Sequence, residues 1–373
     1  MFSNAVKLFT FNGFDIKVDP SWLVIASLVT WTLSQEYFPS VLPAASDATY
    51  LTMALIAMFG LFASLLLHEW AHSIVARKSG VPIHNITLFL FGGVAELEAE
   101  PASAQVEFWI ALAGPLMSVF LAFGFWIVSD IFMLGAMHAV LSYLALINLI
   151  LALFNLIPAF PLDGGRVLRA YLWHTSGNVL RATRIATRAG AVFAYVVMAL
   201  GIIALFQGAL IAGLWQLMIG GFVLIAARSS YQMQLAKTVF AGKTVDALMT
   251  RDPVTVGPDM TLAEFINHTM LHHGVSFVPV LEGTVLLGYM DQSVLGAIDR
   301  ENWANTRIGD VFAGLDHSAV IRPDMTVMDL FEHIQKTHRR KFMVMRDHAL
   351  LGVITLADLT RYLTLKNLAL HTP

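Results

Sequence analysis

Apolar positions along this chain gather into long unbroken runs, where a water-soluble fold would show alternation or half-turn stripes. A helix crosses the hydrocarbon core of a bilayer with about 20 predominantly apolar residues. Residues 21–38, 50–76, 108–128, 136–157, 190–206 and 209–227 meet or approach that length. They predict a polytopic α-helical membrane protein of about six transmembrane helices. Residues 84–98 are apolar and β-prone but too short to span. Centred on Gly92-Gly93, they predict a hairpin dipping into the membrane, where only backbone enclosed by protein is tolerated. From about residue 240 the pattern becomes that of a soluble protein, and it repeats: residues 258–268 match 323–333, an offset of 65 positions. Each copy continues with two β runs, 277–280 and 286–290 in the first and 342–345 and 350–355 in the second, and then a short helix. An α/β pair of β-α-β-β-α units that pack on each other is predicted. The domain bounds read from this are 1–232 for the membrane part, 240–300 for the first repeat and 301–365 for the second.

Composition sharpens this picture. The chain is 57% hydrophobic and 13% charged, against about 25% charged in soluble proteins. With a cytosolic N-terminus, every Lys and Arg of the membrane part (Lys7, Lys17, Arg77, Lys78, Arg166, Arg169, Arg181, Arg184, Arg188 and Arg228) falls on the cytosolic side. The outer loops then hold only Glu36, Asp47 and Asp130, and both termini face the cytosol of a cell membrane. The first apolar run has no cleavage pattern after it and is expected to be retained as a span. Arg181, Arg184 and Arg188 share one helix face, suited to lipid phosphates at the interface. There is no cysteine, so a bound metal has to use His and carboxylate. The net charge of -3 points away from a nucleic-acid partner.

The second apolar run contains His68-Glu69-Trp70-Ala71-His72. Side chains four apart on a helix share a face, so both imidazoles reach one cation, and the Glu beside them can take a proton from a metal-activated water. Ionisable groups inside a span cost about 2.5–3.5 kcal/mol each for Asp, Lys or Arg, so three on one turn need a partner, and a metal supplies one. A catalytic zinc requires a third ligand and an open position. Asp163 is the candidate, in Asn155-Leu-Ile-Pro158-Ala-Phe-Pro161-Leu-Asp163-Gly164-Gly165-Arg166. It closes the fourth run at the same cytosolic end as His72. Pro158 and Pro161 break the helix there, and Gly164-Gly165 permits close backbone approach. Asn155 suits either a hydrogen bond to a developing oxyanion or one between helices, and Asn148 shares its face. Ala113-Gly114-Pro115 reads as close helix packing or a kink, and His84 and His138 as non-ligands. In the second repeat Thr355 and Asp358 offer a hydroxyl and a carboxylate at helix-start spacing, which suits a ribose or a plain helix cap. The first repeat has Asp291 and Val294 in their place, so one nucleotide site at most is expected.

Together these residues resemble the site-2 protease family of intramembrane zinc metalloproteases. The matching parts are the motif at 68–72, Phe91-Gly92-Gly93-Val94-Ala95, and Asn155-x-x-Pro-x-x-Pro-x-Asp-Gly-Gly-Arg166, in that order. The layout resembles the branch with a C-terminal tandem CBS domain pair. The resemblance implies that His68, His72 and Asp163 bind one Zn2+, that Glu69 is the general base, that Asn155 assists, and that Gly92-Gly93 helps present an unwound substrate segment. It implies cleavage in or near the transmembrane segment of a membrane protein such as an anti-sigma factor, a pro-protein or a signal-peptide remnant. It also implies ATP or AMP at the CBS pair, near Thr355 and Asp358, and a homodimer through the CBS domains. One departure is Ser118, where many relatives carry Asn. Two other readings are a CBS-gated metal-ion transporter and an inactive binder of membrane segments. The gathering of polar groups at one depth speaks against the first, and the intact Glu69 against the second.

Overall fold

The computed structural model describes residues 5–369 apart from 44, 90–91, 98–99, 133–134 and 348. The chain forms two compact units, Met1–Gln232 and Met233–Pro373. The first opens with strands β1 (Val6–Phe11) and β2 (Phe14–Val18). Helix α1 (Trp22–Thr32) then runs on through a π turn at Leu33–Tyr37 into α2 (Phe38–Val41), so the first expected span is a helix in three pieces. There follow α3 (Asp47–Lys78), β3 (Ile83–Phe89), β4 (Gly92–Leu97), α4 (Ala104–Phe132), α5 (Ala136–Asn155), α6 (Asp163–Ser176), α7 (Val179–Phe206) and α8 (Leu210–Phe240). Among the described residues α3, α4, α5, α7 and α8 are the five helices long and apolar enough to cross a membrane. Their outer faces carry exposed Phe59, Phe120, Trp126, Ile131 and Phe206. Such surface is a liability in water and fits a hydrocarbon solvent.

The predicted hairpin is present as β3 and β4, paired antiparallel with Phe89 opposite Gly92. Its tip, including Phe91, and its end at Glu98 lie outside the described residues, as does the side chain of His84. The hairpin is half of a larger sheet. β1 and β2 turn about Asn12-Gly13, both at positive φ, and β2 pairs parallel with β3, giving the order β1-β2-β3-β4 with β4 at one edge. Phe14, Ile16, Ile83 and Ile86 of this sheet bury themselves against Ala76 of α3 and Ile110 of α4. The sheet is thereby fixed beside the turns of α3 that follow His72.

The second unit contains β5 (Thr250–Arg251) and a helix over 262–273 made of α9 (Leu262–Glu264), a π segment (Phe265–Met270) and α10 (Leu271–His273). β6 (Phe277–Glu282), β7 (Val285–Asp291) and α11 (Gln292–Gly296) complete the first repeat. After α12 (Ile308–Val311), β8 (Ala313–Gly314) and β9 (Val320–Ile321), the second repeat runs through α13 (Val327–Thr337), β10 (Lys341–Arg346), β11 (Ala349–Thr355) and α14 (Leu356–Ala369). The sheets have the orders β6-β7-β8 and β5-β11-β10-β9. The repeats therefore exchange short strands: β5 of the first pairs with β11 of the second, and β8 of the second pairs with β7 of the first. Glycine makes the exchange possible at equivalent places, since a Cβ on Gly288 or Gly352 would lie 2.1 Å from Ala313 O or 2.5 Å from Thr250 O. A shared core of Phe277, Leu286, Met343 and Val353 joins the two repeats.

Candidate metal centre and active-site cavity

His68 and His72 lie on the buried face of α3 together with Ser64 and Ala76. That face meets a stripe of α4 made by Ile110, Gly114 and Ser118, spaced four apart. Each member has a distinct effect on the imidazoles. The Nδ1–H of His72 donates to the Ile110 carbonyl oxygen at 2.6 Å. A carbonyl only accepts, so this bond leaves a lone pair on Nε2 of neutral His72. His68 Nδ1 is 2.9 Å from the Ser118 hydroxyl, a contact that leaves the Nε2 of that ring facing the same point. Between them Gly114 gives the rings room, because a Cβ there would lie 2.2 Å from His72 Nε2 and 2.5 Å from His68 Nε2. The reading of Ala113-Gly114-Pro115 as packing was thus incomplete. What Gly114 packs against is the histidine pair, and the spacing of Gly114 and Ser118 on one helix face was the available signal.

Asp163 is the first residue of α6. Its carboxylate Oδ2 is 3.1 Å from His68 Nε2 and 3.2 Å from His72 Nε2. The loop before it folds back tightly enough that the first turn of α6 rests on backbone. A Cβ on Gly164 would lie 2.2 Å from Leu156 O, and one on Gly165 2.2 Å from Phe160 N. On the other side of the loop, a Cβ on Gly190 of α7 would lie 1.9 Å from Phe160 O. Backbone cannot move aside as a side chain can, so these glycines set where Asp163 stands. A second tie runs between α4 and α6: Arg169 Nε donates to Glu107 Oε1 at 2.6 Å, and Glu107 is fully buried. Asp163 pairs with the two histidines, and Arg166 lines the neighbouring cavity.

The Nε2 atoms of His68 and His72 are 3.2 Å apart, so three electron-rich atoms converge in a buried place. They fit a metal: a tetrahedral ion about 2.0–2.1 Å from each nitrogen or oxygen keeps its ligand atoms roughly 3.3 Å apart. Among the described residues, His68, His72 and Asp163 are the group of His and carboxylate side chains able to hold one. They open on a cavity of about 460 Å³ that is also lined by Glu69, Gly93, Asn155 and Arg166, with Leu65, Ile110, Phe154 and Phe222 among its apolar walls. Glu69 meets the hairpin here, since a Cβ on Gly93 would lie 2.5 Å from Glu69 Cγ. Asn155, at the end of α5, is half-buried on the cavity wall. Asn148 stands apart and bonds between helices, its Nδ2 donating to Ser64 Oγ at 3.0 Å and to Leu144 O at 2.8 Å. His138 pairs with Ser129 at the α4–α5 turn. The neighbouring Gly92 is in β4, opposite Phe89.

In the second unit, Thr355 and Asp358 form a reciprocal helix cap. Thr355 N and Oγ1 donate to Asp358 Oδ2 at 3.0 and 2.7 Å, and Asp358 N donates to Thr355 Oγ1 at 3.2 Å. Thr355 also lines an open cleft of about 710 Å³ with Ser276, Arg340, Lys341, Thr360 and Arg361.

Comparison with known proteins places these features. The profile of peptidase family M50 matches residues 56–136 and 130–200, and that of the CBS domain matches 245–292 and 309–365. Rip3 of Mycobacterium tuberculosis, assigned as a zinc metalloprotease, is 34% identical over 99% of this chain and 95% of its own length. A zinc metalloprotease of Methanocaldococcus jannaschii is 32% identical over 83% of this chain and 85% of its own length. Among solved structures, the site-2 protease from Methanocaldococcus jannaschii is 30% identical, covering 60% of this chain and 94% of its own, with a TM-score of 0.44. With its apolar helices and its paired repeats, the chain is a membrane protein that belongs to the M50, or site-2 protease, family and carries a tandem pair of CBS domains.

Proposed function

We propose that this chain cleaves a peptide bond in or beside the transmembrane segment of a membrane-protein substrate, with His68, His72 and Asp163 as zinc ligands and Glu69 as general base. The observation that carries this reading is the convergence of Asp163 Oδ2 on both Nε2 atoms at 3.1 and 3.2 Å, with Glu69 on the wall of the same cavity. Zinc held by His68, His72 and Asp163 would supply Lewis acidity for the scissile carbonyl and for an attacking water. Glu69, on the cavity wall, takes a proton from the attacking water and returns it to the leaving amine. Asn155 supplies an amide donor where negative charge develops on the carbonyl oxygen. Gly92 and Gly93 begin the edge strand β4, along which an unwound substrate segment would lie. A helical substrate has to unwind first, because its carbonyls are already engaged and its amide bonds shielded. We place both termini in the cytosol of the cell membrane, on the Lys and Arg distribution.

The test is Glu69→Gln in the full chain purified in detergent, with a transmembrane test substrate. The variant is expected to keep one zinc per chain and to lose cleavage by on the order of 10²–10⁴-fold. Undiminished cleavage overturns the role of Glu69. For the CBS pair we propose an adenine nucleotide in the cleft at Thr355, where Arg340, Lys341 and Arg361 gather positive charge and the Thr355–Asp358 cap lies at one wall.

A further inference from the structure

The cleft at Thr355 has an internal competitor for its ligand. Arg340 and Arg361 line it without an acidic partner among the described residues. Lys341 is different. Its Nζ donates to Asp291 Oδ2 at 3.3 Å and to the Ser276 carbonyl at 3.1 Å. Lys341 belongs to the second repeat and Asp291 to the first, so this ion pair bridges the two. It is partly shielded from water, with side-chain exposures of 28% for Lys341 and 16% for Asp291, and is not fully screened. Asp291 sits where the second repeat has Thr355. Its Oδ1 caps α11, accepting from Ser293 N at 2.9 Å and Ser293 Oγ at 2.5 Å. Its Oδ2 is left for Lys341. The lysine thus lines the cleft and is held by a carboxylate of the other repeat.

We infer that Asp291 restrains ligand binding by holding Lys341, and that a phosphate-bearing nucleotide entering the Thr355 cleft takes Lys341 away from Asp291 and breaks the bridge between the repeats. This rests on the nucleotide reading given above. Binding and bridge rupture are then linked: whatever the Lys341–Asp291 pair contributes to joining the repeats is subtracted from nucleotide affinity. A neutral nucleoside, lacking the phosphates, gains nothing from Lys341 and leaves the bridge in place.

The experiment is calorimetric titration of the full chain in detergent with ATP, and with adenosine as the uncharged control. Asp291→Asn is a suitable probe because Asn keeps the Oδ1 acceptor that caps α11 and turns toward Lys341 a neutral NH2 group that cannot accept from it. It is expected to tighten ATP binding roughly fivefold and to leave adenosine binding unchanged. Lys341→Met is expected to weaken ATP binding by about tenfold or more, and Asp291→Asn added to it is expected to change nothing further. An Asp291→Asn variant with unaltered or weaker ATP affinity overturns the inference. A gain that persists in the Lys341→Met background also overturns it, because the effect is then general electrostatics and not release of the lysine. Absence of ATP binding in both the unmodified chain and Asp291→Asn overturns the nucleotide reading itself.

Discussion

Gly114 of α4 stands so close to His72 of α3 that a methyl group in place of its hydrogen would lie 2.2 Å from the imidazole Nε2. The second imidazole is in the way as well, at 2.5 Å, so neither ring can give without leaving the centre. Gly114→Ala is therefore expected to lower zinc content below one per chain and to reduce cleavage by on the order of 10²-fold or more. Helix content should stay at the level of the unmodified chain. Metal analysis and circular dichroism on the same sample check this.

Ser118 is the partner of His68 Nδ1. Groups that orient a ligating histidine typically carry about 10–100-fold in metal affinity. Ser118→Ala should weaken zinc binding by that order, measured by competition with a chelator. It should leave Glu69 and the cavity walls undisturbed, so cleavage should recover when free zinc is raised.

Gly93 meets a different element of the centre. A side chain there would press on Glu69 Cγ at 2.5 Å, and Glu69 is not among the three converging groups able to hold a metal. Gly93→Val is expected to keep full zinc occupancy while cleavage falls by on the order of 10²-fold, the consequence of moving the proposed general base by about 1 Å. Loss of zinc together with activity would show that the hairpin supports the ligands instead.

The buried Glu107–Arg169 pair ties α4 to α6 and has no exposure on the Glu side. Removing one partner leaves the other charge buried alone, at about 3–5 kcal/mol. Arg169→Met should lower the thermal unfolding temperature in detergent markedly. Adding Glu107→Gln to it should restore part of the loss, because the orphaned charge is then gone.

In the second unit, the Ser318 hydroxyl and N–H, followed by Arg339, hold the Asp316 carboxyl down at about 2. A carboxylate with a depressed folded-state pKa stabilises the fold above its ordinary value near 4, and that contribution is lost as pH falls towards 2. Asp316→Asn should be less stable than the unmodified chain at neutral pH, and the difference should close during acid titration across that window.

Much of the centre could be read from sequence because its parts are side chains with strict spacing. His68 and His72 had to share a face, and Asp163 closes a segment that ends on the same side as theirs under the charge-based topology. The contributions of α4 were harder to see. Ile110 acts through a backbone carbonyl that every residue has, and Gly114 acts by occupying no space. The hairpin at Asn12-Gly13 did carry a strong signal, an Asn-Gly pair between two alternating stretches, yet its pairing with β3 is non-local and has no local signature. The strand exchange between the repeats was hidden for the same reason: β5 and β8 are two residues each, too short to show any period. Likewise the bridge from Lys341 to Asp291 joins repeats whose aligned positions suggested only that the first lacked a Thr.

In the proposed centre two imidazoles and one carboxylate surround a single zinc. X-ray absorption at the zinc edge, on the full chain in detergent and on Asp163→Asn, tests it most directly. The expected spectrum shows two imidazole nitrogens and a carboxylate oxygen at about 2.0–2.2 Å, with zinc content falling in the Asp163→Asn variant. A spectrum without imidazole scattering, or an Asp163→Asn variant with the same zinc content and the same bound oxygen, would rule this centre out.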